Sequence, residues 1–76
     1  MPTVLEYFGL KFKINVNDHN PPHVHVEGRG CSLRIDLSKL KVMGINGFSR
    51  HDLRKILEVV EFYQKELLEA WYEYHK

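Results

Sequence analysis

Three of the five histidines in this chain stand within seven positions, next to a carboxylate and on both sides of two prolines. The stretch runs Asp18-His19-Asn20-Pro21-Pro22-His23-Val24-His25-Val26. An imidazole titrates near neutral pH, so histidines can move protons in catalysis or, when neutral, bind a metal ion. The residue types therefore predict a functional site at this stretch. Their spacing is compatible with either proton transfer or metal binding.

The metal hypothesis combines these histidines with the carboxylate of Asp18. His23 and His25 stand at i and i+2, so they share one face if this segment is a strand. His19 and Asp18 would approach that face across the Pro-Pro turn, which completes a set of ligands that zinc, nickel or iron accept. The H-x3-H-x-H spacing is compatible with such a site without being diagnostic. A zinc or nickel site is therefore the alternative to catalysis by the histidines without a cofactor.

Alternating apolar and polar residues predict the strands that position the histidines. The predicted strands are residues 3–8, 10–16, 23–27, 31–37 and a short one around 40–43. The alternation points Val24 and Val26 toward a core and His23 and His25 away from it. The whole outward-facing set is Lys11, Lys13, His23, His25, Ser32, Arg34 and Asp36.

A single long helix is predicted after the strands. Ser49 is a favourable N-cap, and Asp52 three positions later resembles a capping box. Apolar residues then recur every three or four positions to residue 74, which predicts about seven helical turns. The expected fold is α+β, one domain over residues 1–76, with a four- or five-stranded antiparallel sheet in residues 1–48. The helix of residues 49–76 packs on one face of that sheet.

Composition narrows the classes of function. The formal net charge is +1, so attraction of the whole molecule to nucleic acid is weak, although a local patch can still bind it. Cys31 is the one cysteine, so an intramolecular disulfide is excluded. It alternates with the core residues of its strand, which predicts a small buried apolar side chain. No signal peptide or apolar run of about 20 residues is present, so we expect a cytoplasmic protein without membrane contact.

The leading hypothesis from the residues is cleavage of RNA without a metal. A sheet face that carries His, Lys and Arg and lacks a covering helix can move protons and stabilise a charged phosphate. We assign proton transfer to His23 and His25, phosphate stabilisation to Arg34 and Lys13, and place His19 at the rim. The competing interpretation is an ordinary solvated sheet face. Apolar residues outside the main helical stripe, Val59, Phe62 and Leu68, indicate a surface for self-association or another partner.

Several segments resemble the small bacterial domain-of-unknown-function family numbered 4160. They are Met1-Pro2-Thr3, Phe8-Gly9, residues 17–26 and the helix end at residues 66–71. The resemblance makes His19, Asn20, Pro21, Pro22, His23 and His25 a signature of unproven role. The resemblance implies a short cytoplasmic protein that is encoded beside a member of a second small family, numbered 2442. It also implies that this protein is the toxin of a type II toxin–antitoxin module and that its partner is a small antitoxin-type protein. Many members have proline near the helix start, where this chain has Phe48-Ser49.

Overall fold

Five strands and two C-terminal helices follow one another in a computed structural model that describes residues 3–15 and 19–75. The strands are β1 Thr3–Tyr7, β2 Leu10–Lys13, β3 His23–Gly28, β4 Cys31–Asp36 and β5 Lys41–Asn46, and the helices are α1 Arg50–Phe62 and α2 Gln64–Tyr74. Each strand pairs antiparallel with the next, in the order β1-β2-β3-β4-β5. The predicted α+β class with a small antiparallel sheet is confirmed.

Two tight turns set the register of the sheet. Phe8 and Gly9 join β1 to β2, Arg29 and Gly30 join β3 to β4, and all four have φ between 52° and 73°. Two successive positive φ angles are those of a type I′ turn, whose twist matches that of paired strands. The guanidinium of Arg29 also donates a hydrogen bond to the carbonyl oxygen of Phe8, which ties the two turns together. The first strand ends one residue earlier than predicted because Phe8 belongs to its turn.

The last strand is longer than the predicted segment around residues 40–43. Its pairing with β4 continues as far as Asn46, which lies opposite Ser32. The register shifts by one residue along the way, because Arg34 pairs with Gly44 whereas the next residue, Ile35, pairs with Val42. An extra residue in one strand is a β-bulge, a feature that bends the strand locally. The bulge therefore lies at the edge of the sheet, directly beside Arg34.

The core forms between one face of the sheet and the helices. Its buried apolar residues are Leu10, Phe12, Ile14, Val24, Val26, Leu33, Ile35, Leu37, Ile56, Val60, Leu67 and Trp71. The predicted inward direction of the alternating residues in β2, β3 and β4 is confirmed by this set. Cys31 is an exception, because it is only partly buried and its thiol lies 3.5 Å from the carbonyl oxygen of Arg29.

The predicted single helix is interrupted at Tyr63. Its start is as predicted, since the Asp52 N–H donates to the Ser49 hydroxyl at 3.1 Å and the Asp52 carboxylate accepts from the Ser49 N–H at 3.4 Å. Both residues at the interruption, Tyr63 and Gln64, form hydrogen bonds with the β half of the chain. The Tyr63 and Tyr7 hydroxyls share a hydrogen bond of 2.6 Å, and the Gln64 amide donates to the Leu37 carbonyl at 2.7 Å. These tertiary contacts hold the junction between the two helices. The spacing of apolar residues along the helix does not predict them.

The apolar residues outside the main helical stripe have different environments. Val59 and Leu68 pack against the core, whereas Phe62 is 78% exposed. The predicted self-association surface therefore presents Phe62 far more than the other two side chains. Neither helix in the described part of the chain has the length and apolar character needed to span a membrane.

Candidate functional site

Three of the four predicted catalytic residues lie in one row across the sheet. Lys13 on β2 is the register partner of His25 on β3, and His25 is the register partner of Arg34 on β4. Directly opposed residues of antiparallel strands have their Cβ atoms about 4.5–5.5 Å apart, on the same face. The register therefore brings together an imidazole and two cations that are separated by up to 21 positions in sequence.

A cavity of about 370 Å³ opens beside this row. We call it the sheet-face pocket, and it is lined by His25, Glu27, Ser32, Leu33, Arg34, Gly44, Ile45 and Asn46. Imidazole, carboxylate, hydroxyl, guanidinium and amide groups thus surround one volume. Lys13 reaches the same group of residues, since its ammonium forms an ion pair with the Glu27 carboxylate at 3.2 Å.

Glu27 is a residue of this pocket that our sequence interpretation missed. It follows His25 by two positions on the same strand, so both side chains project from the same face. That spacing is visible in the sequence and would have identified the residue. Our sequence interpretation gave catalytic roles only to histidines and cations, although a carboxylate can also accept a proton.

His23 is buried rather than exposed to solvent, and this corrects the prediction for it. Only 5% of its surface is exposed. Its Nδ1–H donates to the carbonyl oxygen of Pro21 at 2.8 Å, because a carbonyl can only accept. The ring lies between that of His25, with centroids 5.0 Å apart, and that of Trp71, with centroids 5.2 Å apart. His23 therefore packs against the ring of His25 and is shielded from solvent.

Asp36, also predicted to face solvent, is a buried turn residue with 7% exposure. Its carboxylate accepts hydrogen bonds from the backbone N–H groups of Ser38 at 2.8 Å and Lys39 at 2.9 Å. An Asp side chain that binds the backbone two and three residues later stabilises a turn. Asp36 thus holds the β4–β5 connection and does not line the sheet-face pocket.

His19 lies apart from the sheet-face pocket. It is exposed and lines a second cavity of about 300 Å³ together with Asn20, Trp71, Tyr72 and His75. Within residues 3–15 and 19–75, no group of three or more His, Cys, Asp or Glu side chains is placed to hold a metal ion. Asp18, the carboxylate of the alternative zinc or nickel site, lies outside the described residues, so that site stays a prediction.

His75 connects the helix end to the histidines of the sheet, which the sequence did not indicate. Its ring stacks on that of Trp71, with centroids 3.7 Å apart and planes 15° from parallel. Its Nδ1–H donates to the Trp71 carbonyl oxygen at 2.8 Å. The rings of His25, His23, Trp71 and His75 therefore form a continuous series from the sheet-face pocket to the end of α2.

Comparison with known proteins identifies a family. Residues 9–72 match the family model described as "Domain of unknown function (DUF4160)". The match extends from the first β-turn almost to the end of α2 and contains the sheet-face pocket completely. No curated protein and no solved structure matches the chain significantly.

Proposed function

Since the chain belongs to the DUF4160 family, whose function is unknown, we propose that it cleaves RNA at the sheet-face pocket as the toxin-type component of a type II toxin–antitoxin pair. The observation that carries this proposal is the cross-strand row of Lys13, His25 and Arg34 beside a pocket that also contains Glu27. These groups are the acid, base and cations that phosphodiester cleavage requires.

The proposed reaction is an internal transfer at phosphorus. The ribose 2′-oxygen forms a bond to phosphorus while the bond from phosphorus to the 5′-oxygen breaks. The Glu27 carboxylate takes the proton from the 2′-hydroxyl, and the His25 imidazolium gives a proton to the departing 5′-oxygen. Residues i and i+2 of a strand are about 6.6 Å apart along the chain, which lets the two groups act on opposite sides of one phosphate.

The cations stabilise the charge that builds up on the phosphate. Arg34 offers a planar fork of donors that matches two phosphate oxygens, which an ammonium does not. Lys13 adds a positive charge from the neighbouring strand and holds the Glu27 carboxylate in place by their ion pair. His23 positions His25 by packing against its ring. This assignment replaces direct proton transfer by His23, because that side chain is buried.

Expression in cells tests the toxin role. We expect induction of the protein without its genetic neighbour to stop growth and degrade RNA, and co-expression of the neighbour to restore growth. His25→Ala and Arg34→Ala should both be harmless at the same protein level. Lys39→Ala, an exposed residue of the β4–β5 turn, is the matched control and should remain toxic. Normal growth with intact RNA in cells that contain folded wild-type protein would overturn the proposal.

Assays on the purified protein distinguish cleavage of RNA from metal binding. We expect tag-free protein to cleave single-stranded RNA in the presence of a chelator. A folded protein that leaves RNA intact, but binds zinc or nickel at micromolar concentration and loses that affinity in His23→Ala and His25→Ala, would instead support a non-catalytic binding module built on His19, His23 and His25.

A further inference from the structure

One side of α1 carries a stripe of six residues at helical spacing. The stripe is Arg50, Leu53, Arg54, Leu57, Glu58 and Glu61, and these residues line a shallow groove of about 370 Å³. Steps of three, one, three, one and three along a helix keep all six on one side. We call this surface the α1 groove. It adjoins a second cavity, which contains Tyr7, Phe8, Val59 and Phe62, and Glu58 lines both.

Charge is distributed unevenly along the α1 groove. Arg50 and Arg54 lie toward the N-terminal end of the helix, and Glu58 and Glu61 lie toward its C-terminal end. All four are exposed. In the part of the chain that the structure describes, the ion pair within 4.0 Å is Lys13–Glu27, so these four charges are not paired inside the molecule. The groove thus presents a positive and a negative end to whatever binds it.

Apolar surface lies between the two ends of the groove. Leu53 and Leu57 pack partly against the core and remain half-exposed. They are one turn apart and lie beside Ile56 and Val60, the buried residues of the helix, on the flank of α1 next to the core. An apolar strip bordered by charges of opposite sign is the usual composition of a helix–helix interface.

We infer that the α1 groove binds a second copy of this chain, with the two α1 helices antiparallel around a two-fold axis. That arrangement sets Arg50 against Glu61 of the second copy and Arg54 against Glu58. It also sets Leu53 against Leu57. All three pairings are centred on nearly the same point of the helix, between Lys55 and Ile56, so a single axis satisfies them together.

Self-complementarity is the reason to name a second copy as the occupant. A two-fold interface uses the same surface on both molecules, so each residue must find its partner elsewhere within that surface. The α1 groove meets this condition through its own charges. A parallel arrangement would place arginine against arginine and glutamate against glutamate, which repels. The small size of the domain adds a benefit, because a chain of 76 residues buries little apolar surface alone.

The expected dimer is weak and sensitive to salt. A helix of 13 residues is about 20 Å long, so the interface lies at the small end of specific interfaces. Its ion pairs are at the rim, where added salt screens them. The inference does not depend on the proposed cleavage of RNA, since the α1 groove and the sheet-face pocket share no residue.

Two complementary variants test the inference by analytical ultracentrifugation. Arg50→Glu/Arg54→Glu makes the whole groove acidic, and Glu58→Arg/Glu61→Arg makes it basic. We expect the wild type to show a concentration-dependent dimer at low salt and each variant alone to be monomeric. An equimolar mixture of the two variants should form a heterodimer, because opposite charges then meet along the whole groove. Lys55→Glu, on the same helix but directed toward Phe8, is the matched control and should dimerise like the wild type.

The mixing experiment also guards against variants that simply fail to fold. Circular dichroism establishes that each variant is folded, and recovery of association on mixing cannot arise from unfolded chains. A wild type that stays monomeric at its highest soluble concentration in low salt would overturn the inference. So would a dimer that both variants form as well as the wild type does, since its interface would then lie elsewhere.

Discussion

The guanidinium of Arg34 lies over Gly44 of the neighbouring strand. A Cβ atom at position 44 would come within 3.3 Å of a terminal guanidinium nitrogen and 3.7 Å of Nε. The closer distance is tighter than ordinary van der Waals contact, so the missing side chain leaves room for Arg34. The β-bulge of β5 places Gly44, rather than Met43, opposite Arg34.

Gly44→Ala should reduce activity more than stability. The added methyl group should displace the guanidinium by a few tenths of an ångström. If Arg34 binds phosphate as proposed, that displacement should lower RNA cleavage about tenfold. The free energy of unfolding should change by less than about 1 kcal/mol, since alanine is accepted in strands at least as well as glycine. Cleavage assays and urea unfolding measure the two effects. Arg34→Lys is the companion variant, and unchanged cleavage in both would argue against phosphate contact by Arg34.

His23→Ala and His25→Ala should affect different properties. Because His23 is buried and hydrogen-bonded to Pro21, its removal should lower the free energy of unfolding by about 1–3 kcal/mol. His25 is half-buried beside the pocket, so its removal should cost less stability while abolishing cleavage. Urea unfolding of both variants checks this difference. If His25→Ala were the more destabilising substitution, the assignment of support to His23 and chemistry to His25 would be wrong.

Asp36→Ala should destabilise the protein through the β4–β5 turn. The buried carboxylate accepts two backbone hydrogen bonds, and its loss leaves the N–H groups of Ser38 and Lys39 without their partner. We expect a loss of about 1–3 kcal/mol in the free energy of unfolding. Ser32→Ala, an exposed position on the same strand, is the control and should stay within about 0.5 kcal/mol of the wild type. Equal effects of the two substitutions would show that the turn does not depend on Asp36.

The hydrogen bond between Tyr7 and Tyr63 predicts a loss of stability in alkali. It raises the pKa of Tyr63 above the ordinary value of 10.0, with smaller contributions from desolvation and from the charges of Tyr7 and Glu66. The folded protein therefore holds this proton more tightly than the unfolded chain does. Its contribution to stability is complete below the ordinary pKa and is lost as the pH rises through the raised pKa.

Unfolding measured as a function of pH tests this linkage. The free energy of unfolding of the wild type should fall as the pH rises above about 10. Tyr63→Phe removes the titrating group, so its stability should fall less over the same range. Tyr74→Phe, at the end of α2, is the control and should follow the wild type. The prediction fails if Tyr63→Phe and the wild type have parallel pH profiles.

Local signals in the sequence predicted most of the elements correctly. Alternation identified the inward residues of β2, β3 and β4, because one face of each strand is buried and the side-chain period is two. Ser49 and Asp52 identified the helix start, because a capping box lies within four consecutive residues. The interruption at Tyr63 was missed, since the contacts with Tyr7 and Leu37 come from residues far away in the chain.

The sequence by itself determined the family motif, the α+β class and the row of polar positions along each strand. The tertiary structure decided which of those polar residues lie together, because strand register sets Lys13, His25 and Arg34 side by side. It also decided that His23 is buried, because Trp71 comes from a helix 48 positions later. Alternation reports the face on which a side chain lies, whereas its burial depends on what the rest of the chain brings against that face.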